Sequence, residues 1–156
     1  MKFMTLAVSL MLLTSIHAVQ AQVPQDSIVG AWESDEKDVR MEFFKEGDVY
    51  KGKLLWGNKI VESDGQTSKK DVKNPAPDLR ARNIIGMVSL TGLAWDGKEY
   101  TGGKIYDPPS GKTYSCKAWV EGDKLHLRGF MGVSLMGKTV LWHHYSPDKP
   151  YNARLT

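Results

Sequence analysis

The sequence predicts an all-β protein, a single antiparallel up-and-down β-barrel of about eight strands with one ordered capping loop. Three observations carry this. Apolar and polar residues alternate with a period of two from Ile28 onward, short turn signals rich in Gly, Asp and Pro punctuate the alternation, and no stretch has the period of an amphipathic helix. The connections are short, which favours a closed meander over a two-sheet sandwich, because a Greek key needs a long return.

IVGAWES supplies the first strand and Val39 to Phe44 the second. VYKGKLLW is the third, with Tyr50, Gly52, Leu54 and Trp56 on one face and Val49, Lys51, Lys53 and Leu55 on the other. The same reading gives strands over Ile84 to Leu90, Tyr100 to Tyr106, Lys112 to Val120, Lys124 to Phe130 and Lys138 to Tyr145. EGD, WDGK, DPPSG, EGDK and FMGVSLMG separate them, and Gly and Asp in these turns tolerate the positive backbone angles of tight hairpins. The inner face is then rich in aromatics: Trp32, Tyr50, Trp56, Tyr100, Tyr106, Tyr114 and Trp142, with Trp32, Trp56 and Trp142 as barrel core. In a barrel of about eight strands such side chains either fill the lumen or leave room for one small ligand.

The N-terminus, MKFMTLAVSLMLLTSIHAVQAQ, has Lys2 ahead of an apolar run from Phe3 to Leu13, and Val19 and Ala21 frame a small-residue cleavage site. It reads as a signal peptide over residues 1–21, leaving residues 22–156 as one barrel domain of an exported protein, periplasmic or extracellular. The apolar run is shorter than the roughly 20 residues of a spanning helix, and no later segment is longer, so no membrane span is expected. No cysteine follows the cleavage site closely enough for a lipid anchor. The formal charge of +3 falls to +2 when Lys2 leaves, and the basic residues are scattered, which excludes nucleic acid or an anionic membrane surface as an electrostatic partner. Cys116 is the only cysteine, so packing rather than a disulfide must stabilise the fold, and the alternation Tyr114, Cys116, Ala118, Val120 makes it a small buried apolar residue.

One connection is long, Gly57 to Asn83, and it has two halves. NKIVESDGQTSKK is polar and reads as a mobile tip. DVKNPAPDLRAR is different, because Pro75 keeps Asn74 extended, Pro77 suits a first helical turn, and Asp71 and Asp78 lie within reach of Arg80 and Arg82. It is expected to form a cap folded across one end of the barrel, with its charges paired to each other.

The motifs of common catalytic chemistries fail on spacing. PSGKT has Tyr106 where a phosphate loop needs its first glycine, and no helix follows. GVSLMG has one residue too many for a nucleophile elbow and lies between strands, which makes Ser134 a turn residue. His143 and His144 are adjacent on a strand, so at most one can join His126, and no metal site or cofactor is expected. Asp71, Asn74, Arg80, Arg82 and Asp107 form a polar set with two readings: a loop that satisfies its own charges, or an anion-binding mouth in which Arg80 or Arg82 grips a carboxylate or phosphate. Tyr106, Tyr114 and Arg128 complete the ligand-binding or loop-structuring candidates. Arg128 shares a face with His126 and Phe130, opposite Leu125 and Leu127, and is an exposed strand residue unless the aromatic face is the inner one.

The order IVGAW, YKGKLLW, DVKNPAPDLRARNIIG, GGKIYDPPSGKTYSC, LHLRGFMGVSLMGKTVLW resembles the bacterial exported family catalogued as domain of unknown function 2147, over about Ile28 to Trp142. The resemblance implies a lipocalin-like or calycin-like barrel in an exported protein of unassigned activity. Gly30, Ala31 and Trp32 also resemble the lipocalin first-strand signature, whose Trp closes the barrel floor under an Arg from the end of the chain, with Arg154 as positional candidate. Where the family pattern has an Arg shortly after Trp142, this chain has His143 and His144. The function expected is non-catalytic binding of a small amphipathic or anionic ligand in the barrel mouth. The alternative is an envelope interaction or scaffold protein with a filled barrel and a protein partner, suggested by the outward Trp119 and Leu55, and a hydrolase-type enzyme comes third.

Overall fold

In the computed structural model, which describes residues 23–133 and 136–146, the alternation becomes eight strands that close on themselves in sequence order. They are β1 (Gly30–Ser34), β2 (Val39–Glu46), β3 (Val49–Gly57), β4 (Val88–Trp95), β5 (Tyr100–Asp107), β6 (Lys112–Glu121), β7 (Lys124–Phe130) and β8 (Lys138–His144). Every neighbouring pair is antiparallel, and Trp32 opposite His144 joins β1 to β8. Closure leaves no unpaired sheet edge. A 3-10 turn spans Pro77–Leu79, and no helix among the described residues is long and apolar enough to cross a membrane. The signal segment, Ser134 and Arg154 lie outside the described residues.

The core is the inner face. Trp32, Phe43, Tyr50, Leu90, Leu93, Tyr100, Cys116, Ala118 and Leu125 are all essentially inaccessible and form one cluster. Burial pushes the Cys116 thiol up to about 12, so it stays protonated at neutral pH. Trp142 belongs to the same cluster.

Three readings of the sequence need correction, each with a local cause. The fourth strand begins at Val88 and runs to Trp95, because Gly86, at φ +85°, turns the chain while Ile84 and Gly86 bond to Lys69 and Leu54. Trp56 is not core. The β2–β3 register slips between Arg40 and Met41, so Leu54 faces Met41 but Trp56 faces Arg40, and the indole ends up on the outer side. There it is half-buried under the Arg40 guanidinium and donates from Nε1 to the Gly65 carbonyl at 2.9 Å. The segment expected to be a mobile tip is a hydrogen-bonded hairpin, with Val61 bridged to Ser68 and Asp64 accepting from the Gln66 and Thr67 amides. Ile60 and Val61, both 4% exposed, anchor it.

Candidate functional site

The two ends of the barrel are built differently. At one end, residues 25–28 turn beneath the lumen and seal it. Trp32 Nε1 donates to the Ile28 carbonyl at 2.8 Å, Tyr100 donates to the Gln25 carbonyl at 2.7 Å and accepts from the Ile28 amide, and the Tyr50 hydroxyl donates to Asp26. His144 stacks on Trp32 with ring centroids 3.7 Å apart.

The opposite end carries the β1–β2, β3–β4, β5–β6 and β7–β8 connections and opens into a cavity of about 540 Å³. Its walls are Met41, Leu54, Ile60, Leu127, Val140 and Trp142, and its polar groups include Asn58, Lys59, Asp107 and Lys138. Lys59 and Lys138 are exposed, whereas Asp107 is half-buried. A second crevice, lined by Glu33, Asp35 and His143 among others, encloses only about 10 Å³, room for a single water.

The structure separates the polar set predicted from sequence into three groups. Asp71, Asn74, Arg82 and Tyr106 come together. Asp71 is fully buried, its Oδ1 accepting from the Tyr106 hydroxyl at 2.7 Å and its Oδ2 from Asn74 at 2.8 Å and from Arg82 Nη2 at 2.8 Å. Arg80 joins through Nε, which donates to the Asn74 carbonyl at 2.8 Å, and Asn74 Oδ1 accepts from the Ala76 amide. Burial works to raise the Asp71 pKa, but the hydrogen bonds from Tyr106, Asn74 and Arg82 together outweigh it and hold the carboxyl below the ordinary aspartate value. The Tyr106 hydroxyl is pushed up to about 12, first by burial and then by its bond to the carboxylate.

This cluster ties the long loop to the rim. Lys73 reaches the Pro109 carbonyl at 2.6 Å, and Gly111, at φ +71°, packs so tightly that a Cβ there would lie 2.3 Å from the Lys73 carbonyl oxygen. Yet no residue of 71–82 lines the cavity. DVKNPAPDLRAR therefore braces the rim beside the mouth and does not lie across it, and Gly57 to Ile60 supply the loop's share of the wall.

Asp107 and Tyr114, with Tyr106, form the second group, which does line the cavity, at the β5–β6 hairpin. Arg128 stands alone as the third: Leu125 and Leu127 are buried, the guanidinium bonds Thr139 at 2.9 Å on the other face, and it does not line the cavity. Trp119 and Leu55 are half-buried, and Trp119 stacks on His126. Among the described residues no three His, Cys, Asp or Glu side chains converge on a point that could hold a metal ion.

The sequence reading missed Ser89, Leu127, Lys138 and Val140 as cavity residues. Leu127 and Val140 carried a usable signal, because they alternate inward along their strands. Ser89 carried none, since a register shift sets its direction.

Residues 30–144 match a family described as uncharacterized proteins conserved in bacteria, DUF2147. The chain belongs to that family. Its fold is similar to that of protein HP1028 from the human pathogen Helicobacter pylori, which belongs to the lipocalin family. The two share 29% sequence identity with a TM-score of 0.69, over 83% of this chain and 90% of that one. A search of curated proteins finds no match. The DUF2147 chain thus has a lipocalin-like barrel with a closed floor and an open mouth.

Proposed function

We propose that this DUF2147 protein is an exported, non-catalytic binder of a small amphipathic molecule, held in the barrel cavity. The observation that carries the reading is the cavity itself: about 540 Å³ is well inside the range of ligand sites, and its walls are mainly aliphatic and aromatic with a few polar groups at the rim. The likeness to a lipocalin-family protein supports it, and the N-terminal segment supports export. The arginines of the long loop are better suited to structure than to gripping an anion, since Arg82 is held by Asp71 and Arg80 by the Asn74 carbonyl. A hydrolytic role lacks support, because the Ser89 hydroxyl on the cavity wall bonds to no base that would activate it.

Native mass spectrometry of the protein recovered from a bacterial envelope tests the reading. A retained small molecule, or uptake of a fluorescent acyl probe that Leu127→Trp abolishes without lowering the melting temperature, is the expected result. Protein that carries no adduct and takes up no probe overturns it.

One observation favours an envelope interaction surface as a second reading. Met131, Val133 and Met136 in the β7–β8 connection are 66%, 63% and 80% exposed, more apolar surface than one short loop usually presents. Replacing all three with Ser should then abolish capture of a partner in a crosslinking experiment while leaving probe uptake intact.

A further inference from the structure

Two polar side-chain atoms among the described residues are buried without any hydrogen-bond partner, Ser89 Oγ and Trp142 Nε1, and both residues line the cavity. They are 4% and 3% exposed. Buried polar groups are nearly always satisfied, since leaving one unpaired costs about 1 to 3 kcal/mol. Two such groups on the wall of one cavity therefore point to a partner that occupies it.

Ser89 reaches the wall through a bulge. On β3, Gly52 faces Leu90 and the next residue, Lys53, faces Val88, so Ser89 is the extra residue of β4. Val88 is 41% exposed and Leu90 wholly buried, and the bulge brings Ser89 to the buried side beside Leu90, where strict alternation would have turned it outward. Trp142 is positioned by regular pairing with Leu125 and Ser34. β4 and β8 are four strands apart in a closed ring of eight, so the two groups approach the cavity from opposite sides.

Trp142 Nε1–H can only donate, so its partner is an acceptor, while the Ser89 hydroxyl can donate to a second acceptor. The charged residues of the lining are Asp38, Lys59, Asp107 and Lys138, and both lysines are exposed, so the wall holds no buried cation to compensate an anion. We infer that the cavity recognises a neutral, largely apolar molecule bearing oxygen acceptors on opposite sides, such as a quinone or diketone, through Trp142 Nε1 and Ser89 Oγ. This rests on the binding function proposed above and adds the chemical class of the ligand.

The test uses the full barrel and three compounds of nearly one shape: duroquinone, its hydrocarbon counterpart durene, and the anion tetramethylbenzoate, with binding followed by calorimetry. Two hydrogen bonds should make duroquinone bind about tenfold or more tighter than durene, and tetramethylbenzoate should bind more weakly than duroquinone. Ser89→Ala should weaken duroquinone about three- to tenfold and leave durene unchanged, and Trp142→Phe, which also removes part of the wall, should weaken duroquinone about three- to tenfold more than it weakens durene. The comparison of compounds on the unsubstituted protein decides the matter even where a variant folds poorly. Equal binding of duroquinone and durene, or tighter binding of the anion, overturns the inference while leaving the binding function standing. If none of the three binds, the cavity does not take up compounds of this size and both readings fall.

Discussion

The two ends of the barrel each bury a tryptophan, and the two indoles are treated oppositely. Trp32 at the floor is wholly buried with Nε1 bonded to the Ile28 carbonyl, whereas Trp142 on the cavity wall is 3% exposed with Nε1 bonded to nothing. Around Trp32 the hydroxyls of Tyr50 and Tyr100 are satisfied by the 25–28 turn. Around Trp142 the space is open. The difference teaches that one end stores stability in complete packing and the other leaves packing and hydrogen bonds for a guest to complete.

The largest expected effect is at the floor. Trp32→Ala should destabilise by about 3 to 5 kcal/mol, because it empties a large aromatic site and strands the Ile28 carbonyl. Denaturant unfolding measures it, and a cost below about 1 kcal/mol would show that the floor is not where stability resides.

The rim brace comes next. Arg82→Ala should cost about 1 to 3 kcal/mol, because it removes the charged partner of a carboxylate that is wholly buried. The same group sets an acid dependence. Since the folded pKa of Asp71 lies below its unfolded value of about 3.9, its contribution is present above that pH and is lost as pH falls through the folded value. Melting temperatures of the parent protein should therefore fall more steeply below about pH 4 than those of Asp71→Asn. Parallel curves would remove Asp71 from the brace.

A smaller effect is expected where the long loop leaves the barrel. Asp64 organises the 61–68 hairpin by accepting from two amides and the Thr67 hydroxyl, which holds its pKa below the ordinary value. Asp64→Ala should cost only about 0.5 to 1.5 kcal/mol, and hydrogen exchange should show local loss of protection at Glu62 and Thr67 with the barrel strands unchanged.

How much of this was legible beforehand follows from where the two-residue period holds. Seven strands, the closed meander, and the buried Trp32, Cys116 and Trp142 can be read off the alternation. Two of the errors sit where the register slips. A bulge near Arg40 turned Trp56 outward, another delivered Ser89 to the cavity, and Gly86 delayed β4. One residue of slip reverses every later side chain on a strand, and composition gives no count of residues in a bulge. The Asp71–Arg82 pair was visible because both ends lie within a dozen residues. Its anchorage to Tyr106 and Pro109 was not, since it joins elements more than thirty positions apart. The cavity was equally hidden, because the same aromatics fill a lumen or line one according to volumes that alternation does not encode.

The smallest expected effect is the most exacting test of the comparison between the ends. At the floor, each polar atom has a partner whose loss would be felt. On the cavity wall the Ser89 hydroxyl has none, so truncating the side chain to a methyl group removes an unsatisfied oxygen and only slightly enlarges a cavity that is already there. Ser89→Ala should therefore leave the stability of the ligand-free protein within about 0.5 kcal/mol or raise it slightly, and Trp142→Phe should cost far less than Trp32→Phe, which breaks the bond to Ile28. The three variants belong in one unfolding series, with added ligand absent. If Ser89→Ala costs more than about 1 kcal/mol, its hydroxyl already has a partner inside the protein, the two ends are equally complete, and the wall offers no hydrogen bond to a guest.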